Sequence, residues 1–400
     1  MISILCSLFL TKQILVLNNS FSFKIFASAD ELPDSWNDLS KTNIFLSKDY
    51  LRVLEKSAPA NMICNFIGLF DSENLVGIAL SQMVNSIGVS SSDEKRSCLK
   101  SKIRDLVFKQ FASNVLLIGN NMLTGQNAFC FSDKLSFENG IVLIQKATLQ
   151  LEKDFRNQGK KIHLTSYKDF DSADSESFKI KIFSEYYKFE IQPNMIFDIP
   201  TNWNSNEDYI LALSKKYRDQ YKRSHKKAEG IIKCKLSLEE IIIHNNRINE
   251  LYLNVTKNAP FNTFYLAKNH FVEFKKQLGH NFLFYGYFID DVLIGFNTLI
   301  KNGNTIDTYF LGYDDNFQRE KMLYLNMLYD MIGYSINKKL KKIIFARTAL
   351  EIKSSVGAKP KIMFGFVKHH NRIINKFMPK LFDYFDPKVV WQERNPFKEN

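Results

Sequence analysis

The stretch from Phe282 to Tyr313 reads FLFYGYFI-DD-VLIGFNTLI-KNGN-TIDTYFLGY, and its punctuation decides the fold. Three runs rich in aromatic and β-branched residues, 282–289, 292–300 and 305–313, are separated by Asp290-Asp291 and by Asn302-Gly303-Asn304. Strand-forming runs bounded by turn residues predict a three-strand antiparallel meander. Beyond it, residues 320–334 place Leu323, Met327, Leu328, Met331 and Ile332 at steps of three and four, which predicts a helix. Tyr324, Leu325 and Tyr329 on its other side predict that the helix is buried. A strand at 341–346, a short helix at 350–356 ended by Gly357, a strand at 361–368 and a basic amphipathic helix at 372–385 complete the unit.

The same hairpin occurs earlier in the chain. Gly68-Leu69-Phe70-Asp71-Ser72-Glu73-Asn74-Leu75-Val76-Gly77 aligns without gaps to the segment from Gly286 to Gly295, matching both glycines, the Phe and one Leu. A helix candidate precedes each copy, at 49–56 and at 268–278. After the first copy, a strand at 115–118, a long helix at 137–157 and a strand at 162–166 repeat the downstream order. Duplication is the reading this supports. The polar, acidic run 169–177, then Gln192-Pro193 and Pro200, punctuate the join, placed near residue 185. The expected domains are 1–185 and 186–400, a division consistent with a chain of 400 residues.

Apolar residues make up 45% and charged residues 24%, a globular balance. None of the five cysteines lies in zinc-type or Cys-x-x-Cys spacing, and the one adjacent histidine pair is His369-His370, so no metal site is expected. The thiols suit a reducing cytoplasm. Residues 1–17 lack the charged start and cleavage site of a signal peptide and are too interrupted for a membrane span, which favours a cytoplasmic location. The net charge of +12 is concentrated: 215–227 holds seven basic residues against one acid, and 338–380 twelve against one. An anionic ligand is therefore expected in the second half.

The element order strand, helix, hairpin, strand, buried helix, strand, helix, strand resembles that of the GNAT acyltransferases. Two such units in one chain resemble the Fem-type branch, the peptidoglycan aminoacyltransferases and their relatives. Three segments carry the likeness: the basic helix from Lys215 to Arg223, Phe310-Leu311-Gly312-Tyr313-Asp314, and the segment from Arg347 to Ala358 with its Lys353 and Gly357. The resemblance implies an α/β (α+β) chain of two tandem GNAT-like domains, each a mixed, mostly antiparallel sheet flanked by helices. The first is expected to be supporting and the second catalytic.

It also implies an N-acyltransferase that moves an acyl group to an amine, on a small molecule or a cell-wall precursor, with an acyl-CoA-like molecule as co-substrate and no tightly bound cofactor. The alternatives are a Fem-like ligase using aminoacyl-tRNA and a non-catalytic pair binding lipid or glycan at a membrane surface. No helix-turn-helix, RNP or zinc-finger pattern occurs, so DNA is not an expected partner.

CoA-binding GNATs cradle a pyrophosphate on bare backbone amides of a glycine-rich loop. Here Gln318 opens a similar phrase, but Lys321 and Leu323 stand at the glycine positions, so Arg319 and Lys321 are expected to replace the amides with charge-assisted contacts. Arg347 and Lys353 join Gln318, Arg319 and Lys321 as expected donor contacts. Glu351, the one acid between residues 331 and 382, is the expected general base, with a salt bridge to Arg347 or Lys353 as its structural alternative. Tyr309 and Tyr313 leave the third meander strand near the splay where GNAT chemistry occurs. On the helix at 214–228, Lys215, Arg218, Lys222 and Lys226 share one face, widened by Lys216, Arg223 and Lys227. The loop from Gly119 to Gly125 reads as a turn, with approach to a ligand as the weaker reading.

Overall fold

The structure is a computed structural model and describes residues 20–86, 113–258, 262–385 and 390–398. The segment 1–17 read above, with Cys6, and Cys98 lie outside the described residues. Cys64, Cys130 and Cys234 are free thiols. Among the described residues no helix is long and apolar enough to cross a membrane.

The strands are β1 (Phe21–Phe26), β2 (Met62–Asp71), β3 (Asn74–Asn85), β4 (Asn114–Ile118), β5 (Phe129–Phe131), β6 (Leu164–Phe170), β7 (Tyr187–Asp198), β8 (Ile232–Lys235), β9 (Phe282–Ile289), β10 (Val292–Asn302), β11 (Thr305–Tyr313), β12 (Lys342–Ala346) and β13 (Lys359–His369). Among the described residues they form one 13-stranded sheet in the order β1-β2-β3-β4-β6-β13-β7-β12-β11-β10-β9-β8, with β5 against β3.

Each half repeats one pattern. Strands β1 to β4 are antiparallel, and β6 then lies parallel to β4. Strands β8 to β11 are antiparallel, and β12 then lies parallel to β11. A parallel neighbour requires a crossover, supplied by the helices Phe137–Asn157 and Leu323–Asn337.

The shared glycines of the two hairpins have one physical cause. A Cβ on Gly68 would lie 2.9 Å from the ring of Phe70, and one on Gly286 would lie 2.7 Å from the ring of Phe288. In both copies the Phe two residues on folds back over the bare glycine. Asp290 and Asp291 both take positive φ, 46° and 62°, the tight hairpin turn their sequence foretells.

The sheet passes from one half to the other at β13. β7 pairs with β12, whereas β13, the final strand of the chain, lies between β7 and β6. Met195 and Phe197 of β7 accordingly enter the core around Leu323–Asn337, while Phe366 of β13 enters the first half's core beside Phe170 and Phe178. A further core spans both halves: Tyr50 of the helix Lys48–Ser57 meets Phe274 of the helix His270–Leu278 with ring centroids 5.8 Å apart.

Most expected elements are present within a few residues of their sequence bounds. The buried helix starts at Leu323 rather than at 320, because Asp315–Gln318 forms a separate turn and Met322 is left-handed (φ 49°). The single helix expected at 372–385 is two, Arg372–Lys376 and Met378–Phe385. Pro379 explains the break, since in a continuous helix it would lack a donor and clash with the preceding turn.

Candidate functional site

Strands β11 and β12 stay in parallel register over three pairs only, Thr305 with Lys342, Ile306 with Ile343 and Asp307 with Ile344. Beyond Asp307 they make no further pair, and β12 ends at a bend. Ala346, Thr348 and Ala349 all have positive φ, 58°, 69° and 47°. Left-handed backbone at three non-glycine residues costs about 1 kcal/mol or more each. The bend turns the carbonyls of Phe345, Ala346 and Arg347 onto Lys353 Nζ, at 2.5, 3.3 and 2.7 Å. Lys353 is buried, and desolvation brings its ammonium down to about 7.

A cavity of about 480 Å³ occupies the wedge. Asp307, Tyr309 and Tyr313 line it from β11, and Arg347 and Lys353 from the bend after β12. Met122, Leu123 and Thr124 reach it from the first half. The loop from Gly119 to Gly125, read from sequence as a turn, therefore forms part of the wall.

Asp307 is the residue that sequence reasoning missed. It is buried, and its Oδ2 takes no hydrogen bond. Burial pushes its carboxyl up to about 7, opposed by the Asn302 amide. The available signal was an acid inside an otherwise uncharged strand, Thr305-Ile306-Asp307-Thr308-Tyr309, at the point where the strands part.

The other expected site residues divide into two groups. Tyr309 and Tyr313 face the cavity, but the Tyr309 hydroxyl is already engaged. His270 Nδ1 lies 2.9 Å from the Ser57 carbonyl, a pure acceptor, so Nδ1 carries the proton and Nε2 accepts from Tyr309 at 2.9 Å. Burial holds the His270 imidazole neutral, at about 4. Tyr313 is half-buried, and burial raises its phenol, so at neutral pH it is a donor.

Arg347 pairs with the buried Asp169 of β6, a contact between the halves, and desolvation lowers its guanidinium to about 10. Glu351 does not line the cavity. Its exposed carboxylate pairs with Arg394, at 3.0 Å from Nε, and not with Arg347 or Lys353. The short helix Leu350–Ser354 points this side chain away from the wedge while turning Lys353 inward.

Gln318, Arg319 and Lys321 also lie outside the cavity lining. Gln318 Oε1 accepts the Tyr324 N–H at 2.9 Å, occupying one of the helix-start amides that a phosphate would use. Lys321 Nζ donates to the Glu229 carbonyl at 3.3 Å, and Arg319 is exposed. Beside them runs the helix Lys215–Lys227, anchored by buried Tyr217 and by Ser224, whose hydroxyl donates to Asn326 at 2.8 Å. Lys215, Lys216, Lys222, Arg223, Lys226 and Lys227 are all exposed on it, whereas Arg218 is half-buried and donates to the Leu213 carbonyl.

No family model matches the chain, and no curated protein does. Solved structures do. The tandem GNAT protein from the clavulanic acid biosynthesis pathway aligns at 10% identity over 87% of this chain and 98% of its own, with a TM-score of 0.49. L-PGS from Bacillus licheniformis aligns at 10% identity over 85% of this chain and 96% of its own, with a TM-score of 0.44. FemX aligns at 10% identity over 89% of this chain and 99% of its own, with a TM-score of 0.52. At such identities a likeness speaks for the fold alone, and the fold is that of FemX, a tandem pair of GNAT-like units extending over nearly the whole of this chain.

Proposed function

We propose that the chain is an N-acyltransferase that moves an acyl group from an activated, acyl-CoA-like donor to an amine, in the wedge between β11 and β12. The observation that carries this is Asp307, a buried residue in the lining of the cavity where two strands part, with one carboxyl oxygen that has no hydrogen-bond partner. A base placed near neutrality suits proton removal from an amine at physiological pH. The amine nitrogen attacks the acyl carbonyl carbon, its proton passes to the Asp307 carboxylate, and the carbonyl electrons collect on oxygen. When the carbonyl re-forms, the bond to the leaving group breaks, and Tyr313, a protonated phenol in the wedge, is placed to donate to it. Arg347, still charged at neutral pH, brings a guanidinium to the same wall. Holding both reactants in one wedge does the remaining work.

A second reading has its own support. The donor-side helix start is capped by Gln318 and flanked by six exposed cations on Lys215–Lys227, a surface suited to a polyanion. A Fem-like ligase drawing on aminoacyl-tRNA, with a cell-wall precursor as acceptor, fits it. Thiol release from acetyl-CoA and a long-chain acyl-CoA with a panel of amines tests the first reading. Its rate should rise with pH through about 7 as Asp307 ionises, and Asp307→Asn should remove that limb and lower turnover at least about a hundredfold. No thiol release with any donor, together with tRNA binding that weakens steeply with salt, would transfer the proposal to the second reading.

A further inference from the structure

The loop between β4 and β5 has no regular secondary structure, yet buried groups hold it along its length. Lys168 Nζ donates to the carbonyls of Asn120 and Leu123, at 2.8 and 3.2 Å. Asn120 donates to the Tyr50 hydroxyl at 2.7 Å and accepts the Met122 N–H at 2.9 Å. Gln82 Oε1 accepts the Asn121 N–H at 2.6 Å, and the Asn121 amide donates to Thr263 of the second half at 3.0 Å. Asn43 donates to the Gln126 carbonyl and to Asn127 Oδ1, at 3.3 and 3.0 Å.

Lys168 is buried, which is costly for an ammonium unless it is paired. Its partner is Asp169, whose carboxylate also meets Arg347 of the cavity wall. One buried charge chain therefore runs from the loop, through β6, to the bend after β12. A loop held this way does not yield to a ligand. Its Met122, Leu123 and Thr124 present a fixed wall to a cavity whose other chemistry belongs to the second half.

We propose that this loop sets the size of the group the cavity admits, with Leu123 as the gauge and Lys168 as the positioning residue that keeps the gauge rigid. The inference rests on the reading of Asp307 as the partner of the substrate amine. It gives the first half a defined part in substrate selection.

The test is calorimetric titration of the full chain at pH 8 with n-alkylamines from ethylamine to dodecylamine. Affinity should rise about fourfold per methylene until the tail meets the wall, then fall. Leu123→Ala, which removes three carbons, should move that limit by roughly two to three methylenes. Lys168→Met should blunt the limit, reducing the step between adjacent lengths there to less than about twofold. Leu123→Ala serves independently should Lys168→Met fail to fold. Amine binding that Asp307→Asn abolishes, with a limit unmoved by either loop substitution, would overturn the inference and leave the Asp307 reading standing. Wild-type protein that binds no amine would overturn both.

Discussion

At the scale of single residues, the site is defined by what desolvation does to two groups of opposite charge. Asp307 is raised to about 7 and Lys353 lowered to about 7, each chiefly by burial. Between about pH 4 and pH 7 the native chain keeps a proton on Asp307 that the unfolded chain has released. Raising pH through that window therefore costs the wild type stability. Asp307→Asn should gain on the wild type across the same interval, by on the order of 2–4 kcal/mol, and run parallel above it. Urea titrations of both proteins from pH 4 to pH 8 measure this, and a constant difference across the range would refute it. Glu351 shows the opposite case. An exposed carboxylate paired with Arg394 contributes under about 1 kcal/mol. It attracted notice in the sequence because it was isolated among cations. Isolation along the chain says nothing about which way a short helix turns a side chain.

Among elements, the packing of β11 explains the glycine in Phe310-Leu311-Gly312-Tyr313-Asp314. A Cβ on Gly312 would lie 2.6 Å from backbone atoms of Leu251 and Tyr252, in the helix Asn245–Lys257, and 2.5 Å from the ring of Phe296. Backbone does not move aside as a flexible side chain does. Gly312→Ala should therefore destabilise by about 2–3 kcal/mol, read as a shift in the denaturation midpoint. A change below about 0.5 kcal/mol would mean that the helix rides over the strand more loosely than these distances imply. At the loop 315–322, the absent glycines were legible in the sequence and were read as a change of ligand contact. What occupies the vacated amide is instead a neighbouring side chain, Gln318, which no spacing rule reveals.

For the molecule as a whole, β13 against β6 joins the two halves into one sheet. Residues 1–185 made alone would lack β13 against β6 and Phe366 in their core. Residues 186–400 alone would lose the Tyr50–Phe274 packing and Asp169, the partner of Arg347. The full chain should accordingly melt in one calorimetric transition with equal van't Hoff and calorimetric enthalpies, and neither piece should show a cooperative transition by itself. Two resolved transitions in the intact protein would contradict this.

The sequence alone determined the two hairpins, the helices and strands that follow each and their order, because strand runs, turn residues, helical spacing and the repeated glycine-to-Phe hairpin are short-range properties. It also located the charge and the splayed strand carrying Tyr309 and Tyr313. Tertiary structure alone decided that the last strand inserts between the halves, that the loop from Gly119 to Gly125 walls the cavity, and that Asp307 rather than Glu351 faces it. Those outcomes depend on contacts between residues far apart in the chain and on the water that burial removes, and neither is written in any local pattern.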